Sequence, residues 1–89
     1  MAMTRVEVEA KGPGYSKFFD ENGLPKSWFR DSGGLNNLLS QAYNQVDAAG
    51  GVPIEWHVAE KSVVEALTKL FRGSDKLEKI RIIYTPEQP

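Results

Sequence analysis

Three charged residues stand at alternate positions near the start of the chain: Glu7, Glu9 and Lys11, within VEVEAK at residues 6 to 11. Strict alternation is the signature of a β-strand. It puts Arg5, Glu7, Glu9 and Lys11 on one face and Val6, Val8 and Ala10 on the other. On such a strand Glu9 and Lys11 stand side by side. A carboxylate there can hold Mg²⁺, a hard cation that takes oxygen ligands and keeps several waters. The neighbouring ammonium can orient or deprotonate an attacking water, or neutralise charge on a phosphate. Taken alone, the spacing is equally that of solvated charges on a wet strand face, with a cross-strand ion pair as their ordinary use. Both residues are expected on a polar side, with tips converging in a shallow cleft.

His57 is the single histidine, and Glu55 lies two residues before it on the same face of a second strand-like run. The pair could bind a phosphate or position water; a packed or surface histidine is the plainer reading. Tyr15, Phe18, Phe19, Trp28 and Phe29 cluster within a loop-rich stretch. Aromatic side chains can stack nucleobases, but a small core closed under a loop is the expected use here. Lys11-Gly12-Pro13-Gly14 has the glycines of a phosphate cradle without the P-loop spacing.

The elements that must position these residues follow from periodicity. After the strand at residues 4 to 11 comes a segment punctuated by GPG, NGLP and DSGG, with room for a short helical turn at 15 to 20. Leu35, Leu38, Leu39, Ala42, Val46 and Ala49 then repeat at helical spacing and predict a helix over 34–49. Asp31 or Ser32 is placed to cap it, and Gly50-Gly51 to end it. A second strand is expected over 52–58, with Ile54, Trp56 and Val58 on the core side. A second helix is expected over 60–72, on a stripe of Val63, Val64, Leu67, Leu70 and Phe71. The third strand is expected over 79–85. Strands alternating with helices imply right-handed crossovers and a mostly parallel sheet with helices packed over it. The fold class is therefore α/β, with about three strands and two main helices.

Length and composition bound the rest. Eighty-nine residues make a single domain, one that buries only about 60–65 % of its unfolded surface. With no cysteine, disulfides and thiolate metal sites are excluded. No apolar run approaches the roughly 18 residues of a membrane span, and none reads as a signal peptide. Met1-Ala2-Met3 leads almost at once into strand sequence, which fits a domain cut from a longer chain. The net charge of −1 lends no support to nucleic-acid binding. Residues 61 to 81 do carry six bases against three acids, a pattern that a solvated helix face also explains.

The runs EAKGPGYSKFF, LLSQAYNQVDAAGGVPIEWHVAE and KIRIIYTP together resemble the restriction-endonuclease-fold toxin domains. The match is to the subfamily numbered five among the bacterial polymorphic toxins, within the PD-(D/E)xK nuclease superfamily. It spans residues 5 to 86. Its most specific parts are the acid-x-Lys-Gly-Pro-Gly-Tyr run and the Glu-Trp-His strand after Gly-Gly. The resemblance implies a Mg²⁺-dependent DNase, carried by a secreted effector of the contact-dependent or type VI kind. Such an effector enters the cytoplasm of a target bacterium and is neutralised by a cognate immunity protein.

Carried over by residue, the resemblance makes Glu9 the metal-binding acid and Lys11 the catalytic lysine. Gly12 to Tyr15 match the turn after them, with Tyr15 toward the substrate. Gln41 and Gln45 match polar positions on the following helix, where related nucleases place a glutamine toward the site. Four residues apart, the two share a helix face, and the polar side of an amphipathic helix is the alternative for both. The superfamily's second acid sits on an earlier strand. Only four residues precede Arg5 here, none of them acidic, and Glu7 is the nearest substitute, about 6–7 Å from Glu9 between Cβ atoms. A chain lacking that acid is expected to hold only the C-terminal part of the nuclease domain. It would then act as an immunity-protein-binding or self-associating module, for example as a homodimer.

Overall fold

The computed structural model describes residues 5–87, so the Met1-to-Thr4 start and the first residue of the expected first strand lie outside it. Three strands form a parallel sheet in the order β1-β2-β3: β1 is Glu7–Lys11, β2 Ile54–Val58 and β3 Ile80–Tyr84. Helix α2 (Gly34–Ala49) crosses from β1 to β2, and α3 (Lys61–Phe71) from β2 to β3. The α/β architecture read from the alternation of elements is the one observed. Among the described residues no helix is long and apolar enough to cross a membrane.

The core lies between the sheet and the two long helices. Ile54, Trp56 and Val58 of β2 are buried together with Leu38 and Ala42 of α2 and with Val63, Ala66, Leu67 and Phe71 of α3. Trp56 meets Phe71 edge-on, ring centroids 5.4 Å apart. Two successive right-handed crossovers that step the same way along a sheet put both helices on one face. The other face carries Val8, Ala10, Glu55, His57, Arg81 and Ile83, and among the described residues no helix covers it. Val8 is 59 % exposed there.

This arrangement reverses the expectation for β1. The strand pairs Glu7 with Ile54, Glu9 with Trp56 and Lys11 with Val58, so its charged face is the one turned toward the helix layer. Its valines face the open side, and Lys11 is only 4 % exposed. Alternation gives the two faces of a strand; which of them is covered depends on the side the crossovers take.

The connection from β1 to α2 contains more structure than its punctuation suggests. A 3-10 turn at Tyr15–Phe18 matches the expected short turn, and a further helix, α1 (Ser27–Asp31), follows it. Because α1 takes up Asp31, the cap of α2 falls one residue beyond the two expected candidates, Asp31 and Ser32, on Gly33 at φ 89°. The Ser32 hydroxyl still accepts from the Gly34 N–H at 3.4 Å. Gly34 itself is needed for close approach, since a Cβ there would stand 2.6 Å from the Phe29 ring.

Candidate functional site

The end of β1 and the middle of α2 bring together three polar side chains from the sequence reading. Lys11 Nζ donates to Gln41 Oε1 at 2.9 Å and to Glu9 Oε1 at 3.3 Å. Gln41 Nε2 donates to Glu9 Oε1 at 3.0 Å, which closes a three-membered ring. Its orientation is dictated by chemistry: an ammonium only donates and a carboxylate only accepts, so the amide must show oxygen to Lys11 and nitrogen to Glu9.

Burying a lysine costs free energy unless the charge is paired and hydrogen-bonded. Here the ammonium has Glu9 and Gln41 as partners and two aromatic rings beside it. Its Nζ is 4.8 Å from the Trp56 ring centroid and 5.5 Å from that of Tyr15, within range of a cation–π attraction. Glu9 stays 32 % exposed. The cluster therefore has a buried cationic end and an accessible anionic one.

Gln45, one turn after Gln41, also faces the sheet. Its Oε1 accepts from the buried Trp56 Nε1 at 2.7 Å. Gln41 is exposed and Gln45 half-buried, and each carries its amide to a partner on the strand side. Gln41 joins the ion pair, and the oxygen of Gln45 is taken up by the core tryptophan.

The turn after Lys11 is held by a residue that sequence reasoning did not single out. Glu60, just ahead of α3, accepts from the Gly14 N–H at 2.8 Å and the Ser16 N–H at 3.2 Å. The Ser16 hydroxyl foremost, and then the backbone N–H groups of Ser16, Gly14 and Tyr15, favour the carboxylate over the opposing effect of burial. They hold the Glu60 carboxyl below the ordinary glutamate range. Gly14, at φ 104°, supplies the left-handed conformation the turn requires. An acid just ahead of a helix was the only sequence signal, and its partners lie 44 and 46 residues away.

Glu7 stands on the same face as Glu9, two residues along the strand, and its Oε1 lies 3.4 Å from Arg5 Nη2 in an exposed pair. Among the described residues no three His, Cys, Asp or Glu side chains gather as a cation site. What β1 offers is an oxygen-only pair. The hydrogen bonds to Glu9 fall on Oε1, leaving Oε2, and Glu7 is 43 % exposed. That set suits Mg²⁺, which is commonly bound through one or two carboxylates with water filling the rest of its shell.

His57 is not part of this cluster. It lies on the open face of the sheet, where Nε2 meets Glu55 Oε1 and Nδ1 meets Thr85 Oγ1, each at 3.0 Å. Arg81 reaches the other oxygen of Glu55 at 3.6 Å. The pairing of His57 with Glu55 is as the spacing suggested, but the sheet separates both from Glu9 and Lys11.

Tyr15 does reach the cluster. Beside it, a groove of about 230 Å³ runs along α2, bounded by Tyr15, Phe18, Phe29, Asn37, Leu38 and Gln41. Comparison with protein-family models, with curated proteins and with solved structures finds no match to this chain.

Proposed function

We propose that this chain carries the catalytic strand of a Mg²⁺-dependent nuclease that hydrolyses DNA phosphodiesters. The observation that carries the reading is the buried Lys11, held between Glu9 and Gln41, partners 32 residues apart. A surface ion pair needs neither burial nor a dedicated amide. A lysine used on a phosphate needs both, because its position must be set before the substrate arrives. Two of its three N–H donors go to Glu9 and Gln41; at 4 % exposure the ammonium would act on a phosphate bound at Glu9 chiefly through its charge. Gln41 fixes the distance between the acid and the base of the pair. A Mg²⁺ ion held by Glu9 and Glu7 would polarise the phosphoryl group and offset its developing charge. In a toxin effector delivered into the cytoplasm of a bacterium, the same cleft would be what a cognate immunity protein obstructs.

Plasmid nicking tests this reading. Cleavage should require Mg²⁺ and disappear in Glu9→Ala and in Lys11→Ala. Cleavage that persists in either variant, or in excess EDTA, excludes the mechanism.

The open sheet face favours a second reading. Val6 and Val8 are 41 % and 59 % exposed, and among the described residues the outer edges of β1 and β3 pair with no strand. Exposed edges invite pairing with another strand. The chain would then act as a binding module, for an immunity protein or for a second copy of itself, without cleaving DNA. Light scattering across a concentration series tests the self-associating form of this reading: a monomer at high concentration removes it.

A further inference from the structure

The aromatic cluster after β1 is not used wholly as core. Phe19 and Phe29 are buried, each 6 % exposed, but Tyr15 and Phe18 are only partly covered and Trp28 is 50 % exposed. Phe18 stacks on Phe29 at 4.4 Å between centroids, Tyr15 meets Phe18 edge-on at 5.4 Å, and Trp28 lies 5.6 Å from Phe18. A plug needs no accessible outer layer of rings. This cluster has one, and its Tyr15 and Phe18 form a wall of the groove beside Gln41.

Three features of the groove point to one kind of occupant. At about 230 Å³ it is smaller than the roughly 300–1,000 Å³ of pockets that take a drug-sized molecule, and it suits a single flat heterocycle. Its sides are aromatic, while the amides of Asn37 and Gln41, one helical turn apart on α2, supply donors and acceptors for a ring edge. Its inner end is shared with the ion-pair cluster: Gln41 belongs to both, and Lys11 Nζ is 5.5 Å from the Tyr15 ring.

We infer that this groove is a nucleobase subsite, and that the chain prefers nucleic acid whose bases are unpaired at the point of attack. A base stacked against Tyr15 and Phe18 brings its own phosphate toward Lys11. A base still paired within a duplex cannot enter, because its faces are covered by its neighbours and it must first be extruded. The inference rests on the nuclease reading for what happens to that phosphate, and stands apart from it for binding.

Binding measured without metal tests it. The probes are a fluorescently labelled oligothymidylate, an abasic strand with the same number of phosphates, and a duplex. Base stacking on an aromatic side chain is worth about 5- to 150-fold in affinity. The oligothymidylate should therefore bind at least about fivefold more tightly than the abasic strand, and more tightly than the duplex. Tyr15→Ala should remove the preference over the abasic strand, and Tyr15→Phe should keep it. Asn37→Ala, at an exposed helix position, should reduce discrimination between bases without unfolding the chain. Equal affinity for oligothymidylate and abasic strand overturns the subsite, as does tighter binding of duplex. Cleavage of the oligothymidylate in Mg²⁺ by the same preparation is read separately. Loss of base preference with cleavage intact refutes the subsite alone, and base preference without cleavage supports the subsite while refuting the nuclease reading.

Discussion

Lys11 and Trp56, on neighbouring parallel strands, meet as a cation and a ring: the ammonium nitrogen lies 4.8 Å from the centroid of an indole with no solvent exposure. One face of that environment is apolar, and the other is the Glu9–Gln41 pair. The charge is thus held at the boundary between the core and the partly exposed Glu9, and the same contacts fix its position.

Removal of Lys11 should therefore affect folding as well as activity. Lys11→Ala leaves a space beneath two aromatic rings and strips Glu9 and Gln41 of a partner. Because Glu9 is about one-third exposed and can be rehydrated, the expected cost is about 1–3 kcal/mol, below that of breaking a fully buried pair. Lys11→Met fills the same space without the charge and should cost less. Urea denaturation of both variants measures the difference, and equal destabilisation would show that packing around the lysine is unimportant.

Gln45 is expected to act through Trp56. Gln45→Ala leaves the buried indole N–H without its acceptor at 2.7 Å, an unmet donor that costs about 1–3 kcal/mol. Any loss of cleavage should track the loss of folded protein. A Gln45→Ala variant of wild-type stability but no activity would place this residue on the substrate instead.

Leu38 reports on the helix-to-sheet packing. At 7 % exposure it lies under the groove and against the core, so Leu38→Ala should cost about 2–4 kcal/mol. A chemical denaturation midpoint close to that of the unaltered chain would contradict this packing.

Acid should loosen the turn that follows Lys11. The Glu60 carboxyl is held below its ordinary range by the N–H groups and hydroxyl it accepts from. A carboxyl whose folded pKa is lowered contributes stability that is present above its unfolded value, about 4.3, and is lost as pH falls through the lower folded value. The stability difference between the unaltered chain and Glu60→Gln should be constant near neutrality and shrink below about pH 4. A difference that persists unchanged into strong acid would remove Glu60 from this role.

Much of the architecture was legible in the order of residues. Helix α2 begins and ends where the spacing of its leucines and alanines indicated, at Gly34 and Ala49, because an amphipathic stripe and a terminal glycine pair are local signals. The same holds for Trp56 on the core side of β2 and for the parallel order of the sheet, since alternating strands and helices admit few connections. The side-by-side placement of Glu9 and Lys11 needed only the two-residue repeat of a strand.

Tertiary structure alone decided which face of β1 is covered. Both crossovers lie on the side of Trp56, so the face bearing Glu9 and Lys11 became the protected one, and the valines, which look like core in sequence, were left outside. The meeting of Lys11 with Gln41 across 30 residues and the anchoring of the Gly14 turn by Glu60 across 46 belong to the same category, as does the exclusion of His57. Strand periodicity is a property of neighbouring residues. Handedness and layer order arise only when distant segments pack, and it is the packing that turns an ordinary alternation of charges into a hydrogen-bonded cluster around a buried lysine.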